Sequence, residues 1–109
     1  MKRYCFALDL YDDPAMIAEY EEWHTKVSLE IKKSITDAGI FAFDIYRVGN
    51  RMFAILETTD TFDLEIKARM DAANPVVQKW ETLMSKYQKP LPFAKPGEKW
   101  MLMEKIFQL

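Results

Sequence analysis

IFAFDIYRVGNRMFAILET, residues 40–58, holds two runs rich in aromatic and aliphatic side chains, with only Gly49-Asn50 between them. A two-residue gap of that composition predicts a hairpin, so 40–48 and 51–58 read as adjacent antiparallel strands. The segments on either side read differently. Upstream, Ile17, Tyr20, His24, Val27, Ile31 and Ile35 recur at spacings of three and four, the stripe of one long amphipathic helix. Asp12 or Asp13 is placed to cap it, Pro14 fits its first turn, and Ala38-Gly39 ends it with a glycine free to turn left-handed. Before that helix, RYCFALDL at 3–10 reads as a first strand. Downstream, Asp60 or Thr61 opens a short helical piece. Asn74 and Pro75 then open a longer helix whose apolar face is Val76, Val77, Trp80, Leu83, Met84 and Tyr87. The proline-rich 88–98 reads as a loop, and KWMLMEKIFQL as a last strand running to residue 109. The order strand, helix, strand, strand, helix, strand is the ferredoxin-like split βαβ arrangement of the α+β class, an antiparallel sheet with its helices on one face. No layer remains for the other face, which predicts a homodimer packed sheet against sheet.

The totals narrow the function. The 109 residues, half of them hydrophobic, suit one domain over 1–109. Fifteen Lys and Arg against 17 Asp and Glu give a net charge of −2 with no basic block, so no nucleic-acid footprint is expected. The single cysteine, Cys5, cannot form an internal disulfide and reads as a core thiol. No 18-residue apolar run occurs, and MKRYCFALDL turns acidic too soon for a leader, so a soluble cytoplasmic protein without membrane contact is expected. One histidine excludes a multi-histidine metal site. Three glycines form no phosphate loop, and no Gly-x-Ser-x-Gly elbow accompanies His24. What remains is a site without metal or cofactor, or no site.

His24 is therefore the residue to weigh. A lone histidine on a helix face is more often structural than catalytic, but Tyr20 lies one turn before it on the same face. Tyr20 and Trp80 read alone as core, Glu57 and Glu81 as solvated carboxylates, and the methionines at 84, 101 and 103 as gap-filling core.

Taken in order along the chain, EYEEWH with its Tyr-x-x-x-His, then AGI, RMFAILE, VVQKWETLM and the terminal EKIFQL resemble the L-rhamnose mutarotase family. Each motif is short, and their collinearity over nearly the whole chain carries the resemblance. It implies a dimeric α+β barrel of ferredoxin-like subunits. It also implies an isomerase that interconverts the α and β anomers of a 6-deoxyhexose by ring opening, with a monosaccharide as its partner. By the same resemblance, His24 stands at the catalytic acid/base position and Tyr20 at a substrate-contacting tyrosine. Trp80 stands at the first of two tryptophans that line the sugar pocket. Two positions depart from the family pattern: Glu81 replaces the second tryptophan, and Phe43 replaces a sugar-contacting tyrosine. Both changes touch sugar selection, so L-fucose joins L-rhamnose as a candidate substrate.

The chemistry suits these residue types. Opening a pyranose needs a base for the anomeric hydroxyl proton and an acid for the ring oxygen. An imidazole, with an ordinary pKa near ~6.5, offers both forms. Two other readings share the fold: a cofactor-free monooxygenase-like enzyme, whose haem-handling version would take His24 as iron ligand, and a non-catalytic dimer that binds a small molecule.

Overall fold

The computed structural model describes residues 1–109. The hairpin is present, formed by β2 (Ile40–Val48) and β3 (Arg51–Thr58). Of the two turn residues only Gly49 has positive φ, at +59°, which matches a II′ turn with glycine first. The Asn50 side chain donates to the Leu10 carbonyl at 3.0 Å, and Leu10 N–H returns a bond to Asn50 O at 2.7 Å. The turn is thereby stitched to the end of β1 (Lys2–Leu10). β1 pairs antiparallel with β3 through eight residue pairs, from Lys2↔Thr58 to Asp9↔Arg51. Its other edge pairs with two short strands, β4 (Gln88–Lys89) and β5 (Met101–Leu102). The order β2-β3-β1-β4, with β5 also on β1, is the ferredoxin-like sheet predicted from the alternation of elements.

Register assigns the two faces. Leu8 lies opposite Met52, Phe6 opposite Ala54, and Tyr4 opposite Leu56. Opposed residues share a face, and these point toward the helices. On the outer face, Arg3 pairs with Glu57 and Arg51 with Asp9, so Glu57 is an ion-pair partner rather than a free carboxylate.

The helical stripe is real but does not make one helix. It is cut into α1 (Pro14–Trp23) and α2 (Leu29–Asp37). Thr25, Val27 and Ser28 are weak helix formers, and their side chains favour the break. Thr25 Oγ1 donates to the Glu22 carbonyl at 2.7 Å, and Ser28 Oγ accepts from Ile31 N–H as the cap of a new helix. The α1 cap is Asp13, which accepts from Ala15 and Met16 N–H. Gly39 follows α2 with φ +96°, and a Cβ there would stand 2.8 Å from Thr59 Oγ1, so the position suits glycine alone.

The next cap is corrected: Asp63, not Asp60 or Thr61, opens α3 (Leu64–Ala72) by accepting from Glu65 and Ile66 N–H. Asp60 instead binds the chain's own amino terminus. Asn74 and Pro75 open α4 (Pro75–Ser85) as expected. The predicted last strand is reduced to Met101–Leu102, and residues 103–109 leave the sheet with Ile106 and Phe107 exposed. Met84 is core, but Met103 is not.

Burial divides into two clusters. Leu8, Leu10, Tyr20, Met52, Met84 and Tyr87 form one under α1 and α4. Ile40, Ala54, Leu56 and Phe62 form the other. Ile45 and Trp100 touch both.

Candidate active site

The helix break places His24 at the C-terminal end of α1, where it is the capping residue. Helix ends leave carbonyls without an intrahelical donor. The Tyr20 carbonyl, one turn back, is 2.7 Å from His24 Nδ1. A carbonyl only accepts, so Nδ1 carries the proton and donates. Nε2 of the neutral ring is then the nitrogen with the free lone pair. The loss of helix after Trp23 thus fixes the tautomer of the one imidazole.

The ring stands among aromatics. Its centroid is 4.5 Å from that of Tyr20, tilted by 41°, and 5.5 Å from that of Trp80, nearly edge-on at 72°. Tyr20 in turn meets Tyr87 edge to face at 5.8 Å. Tyr20 is buried, and its hydroxyl accepts from Gln88 Nε2 at 3.2 Å. Burial pushes the Tyr20 phenol above its ordinary value, with the Gln88 hydrogen bond acting in the opposite direction. Tyr20 therefore remains a neutral O–H donor through the physiological range. Behind it, Trp23 Nε1 donates to Tyr87 Oη at 3.1 Å, and Tyr87 donates to Glu19 at 3.2 Å, which holds α1 against the end of α4.

His24, Tyr20, Trp80 and Gln88 help wall a cavity of about 760 Å³ between the helices and the sheet. His24, Tyr20, Phe43, Trp80 and Glu81, the five positions singled out in the sequence, all border it. Phe43 lies opposite Leu56 on the helix-facing side of the sheet and presents its ring to the space. An adjoining space of about 870 Å³ opens beneath α1 and α2 along β2, and His24, Tyr20, Phe43 and Trp80 stand on the wall common to both. Glu81 is exposed at the rim, where it accepts from Gln78 Nε2 at 3.3 Å. The volume and the mainly apolar lining are those of small-molecule sites.

Several lining residues were not singled out in the sequence. Gln88 read as the start of a loop, and its place on Tyr20 depends on a contact between residues 68 apart. Trp100 and Glu98, at the end of the proline-rich loop, also line the cavity. Lys67 and Asp71 also reach the wall, and their i,i+4 spacing was readable but not distinctive. No group of three or more His, Cys, Asp and Glu is gathered as a metal site. No helix is long and apolar enough to cross a membrane.

Chemically, the arrangement offers one imidazole nitrogen, an aromatic wall and a few hydroxyl and carboxylate groups to a compact polar guest. Fold and cavity together define a ferredoxin-like α+β protein with an open cavity of small-molecule size between helices and sheet. The family model for L-rhamnose mutarotase matches residues 3–109, and the chain belongs to that family. It is 43% identical to an L-fucose mutarotase of Xanthomonas campestris pv. campestris, over 100% of this chain and 89% of the relative. It is 33% identical to an L-rhamnose mutarotase of Phocaeicola vulgatus, over 88% of each chain. The solved structure of an L-rhamnose mutarotase from Formosa agariphila superposes with a TM-score of 0.74, over 100% of this chain and 99% of that one. At 22% identity that likeness speaks for the fold.

Proposed function

We propose that residues 1–109 act as one domain that interconverts the α and β anomers of a 6-deoxyhexopyranose, with His24 as acid/base. The observation that carries this reading is the His24 ring, its Nδ1 committed to the Tyr20 carbonyl at 2.7 Å and its other nitrogen left for the cavity. Nε2 takes the proton of the anomeric hydroxyl. The C1–O5 bond breaks as C1 becomes an aldehyde, and O5 takes up a proton. Rotation about C1–C2 presents the other aldehyde face, and the same steps in reverse close the ring. Atoms balance with no net proton gained or lost, and no redox partner is required.

Binding follows from the wall. Trp80 offers an aromatic surface to the C–H side of the sugar, and the C6 methyl gains about 0.8 kcal/mol on leaving water. Tyr20 supplies an O–H donor near the imidazole.

The sugar is a 6-deoxyhexose, and we infer that L-fucose is accepted at least as well as L-rhamnose. Phe43 supplies a ring without a hydroxyl, and Glu81 supplies a carboxylate at the rim, so the hydrogen bonds offered differ from those of a Trp and Tyr pair. The 43% identity to an L-fucose mutarotase supports the same choice. One-dimensional saturation-transfer NMR with the two sugars side by side tests activity and preference together. Accelerated exchange of L-fucose anomers is expected, whereas no acceleration for either sugar rejects the reading. Glu81→Trp is expected to move the rhamnose-to-fucose preference toward rhamnose by several-fold, and an unmoved ratio removes position 81 from selection.

A homodimer belongs to this reading. Phe53, Ile55 and the exposed Tyr46 and Val48 lie on the outer sheet face, away from the helices. That face has no covering layer, and aligned packing of two such sheets would bury it. Light scattering at micromolar concentration is expected to give twice the chain mass of 12.9 kDa. A value for one chain would count against the pairing. We also place the protein in the cytoplasm, on the strength of its single unpaired Cys5. Recovery in a secreted fraction would contradict that.

A further inference from the structure

Three lysine–carboxylate pairs occur at i,i+4 spacing, two within helices and one running from α1 into the turn after it. Two stand in water: Lys33–Asp37, with side chains 73% and 51% exposed, and Lys26–Glu22, at 56% and 67%. The third, Lys67–Asp71 on α3, is withdrawn to 15% and 20% and borders the cavity. A solvated pair is an ordinary helix-surface feature. A withdrawn pair has given up water and requires polar partners in exchange. Asp71 Oδ1 takes one ammonium N–H of Lys67. An ammonium has three donors and a carboxylate two oxygens, so two N–H groups and Oδ2 remain. Asp71 Oδ2 has no hydrogen-bond partner and is not sealed from solvent, and both residues border the cavity. The pair is also fixed in place. Gln78 Nε2 on α4 donates to the Asp71 carbonyl at 2.9 Å, two residues before Trp80 on the same helix.

We propose that Lys67 and Asp71 form the subsite that holds an adjacent pair of sugar ring hydroxyls, the C3 hydroxyl among them, and selects among 6-deoxyhexoses. This rests on the mutarotase reading above. Two adjacent ring hydroxyls match an adjacent donor and acceptor: one accepts from Lys67 Nζ, and its neighbour donates to Asp71. L-Rhamnose and L-fucose differ in configuration at C2 and C4. A clamp on either the C2/C3 or the C3/C4 pair therefore discriminates between them, and the C3 hydroxyl belongs to both.

The test compares wild type with Lys67→Gln and Asp71→Asn on L-rhamnose, L-fucose and their 3-deoxy analogues. KM comes from anomer exchange, and binding from the sugar-induced rise in Tm. Each variant is expected to raise KM for at least one parent sugar tenfold or more, with kcat within about threefold, and to shift the preference between the two. With the 3-deoxy analogues, wild type and variants should converge to within about threefold. Unchanged KM in both variants, or a kcat loss without a KM change, overturns the subsite while leaving the mutarotase intact. A wild type that neither binds nor exchanges any of these sugars overturns both readings. If a variant misfolds, the Lys67 Nζ resonance of wild type decides, identified by its loss in Lys67→Arg. Movement of that resonance on titration with sugar supports contact, and a static resonance rejects it.

Discussion

His24→Gln is expected to slow anomer exchange by about 10²- to 10⁴-fold, the usual contribution of a positioned acid or base, while the fold survives. The side chain caps the end of α1 and is only partly buried, so its removal opens no large cavity. A glutamine can still reach toward the Tyr20 carbonyl that His24 Nδ1 now meets at 2.7 Å. It cannot take a proton from a hemiacetal at neutral pH. Two-dimensional exchange NMR on both anomers would measure the rate, with far-UV circular dichroism as the control for folding. A variant that exchanges anomers at the wild-type rate would remove the imidazole from the chemistry and leave a sugar-binding protein. A second variant sharpens the test. Tyr20→Phe keeps the carbonyl and the ring packing and deletes only the hydroxyl. A much smaller rate loss there would separate proton transfer at His24 from binding at Tyr20.

Trp80→Ala should give the second large effect, and it should act on two observables. The indole stands nearly edge-on to the His24 ring at 5.5 Å and packs against the Leu8, Met52 and Met84 cluster. Its loss is expected to destabilise the fold by about 2–3 kcal/mol, below the 3–5 kcal/mol typical of a fully buried aromatic, because Trp80 is only half-buried. The sugar concentration for half-saturation should rise tenfold or more, equivalent to about 1.4 kcal/mol of lost binding. Trp80→Phe should recover much of both. Chemical denaturation and saturation kinetics report the two effects separately. A stability loss with unchanged half-saturation would show that the indole is packing alone, and Trp80 would leave the sugar wall.

Most of the element order was readable, and the reasons are local. Gly49-Asn50 between two apolar runs could hardly be anything but a hairpin turn, and Asn74-Pro75 marks a helix start by capping and by the fixed φ of proline. The errors came where a local pattern was true but incomplete. The stripe from Ile17 to Ile35 does face the core side, yet Thr25 and Ser28 redirect their hydrogen bonds and divide it. The apolar run at the C-terminus has strand composition but pairs with β1 only through Phe6↔Leu102 and Ala7↔Met101, plus one bond from Met103 N–H to Cys5 O. β composition describes a surface that fits a sheet, and a strand needs a neighbour along its length.

Of the candidate site, Tyr20 and His24 were linked by helical spacing, and Trp80, Phe43 and Glu81 by resemblance to a family. All five do border one cavity. Short-range sterics and the periods of helix and strand are written residue by residue, so chain order, caps, turn and apolar faces follow from reading it. The free nitrogen of His24, the seat of Gln88 on Tyr20, and the withdrawal of Lys67–Asp71 while similar pairs stay in water are set by packing between distant segments. Such contacts form only when α1, α3, α4 and the sheet close on one another, and no local pattern encodes the space left between them.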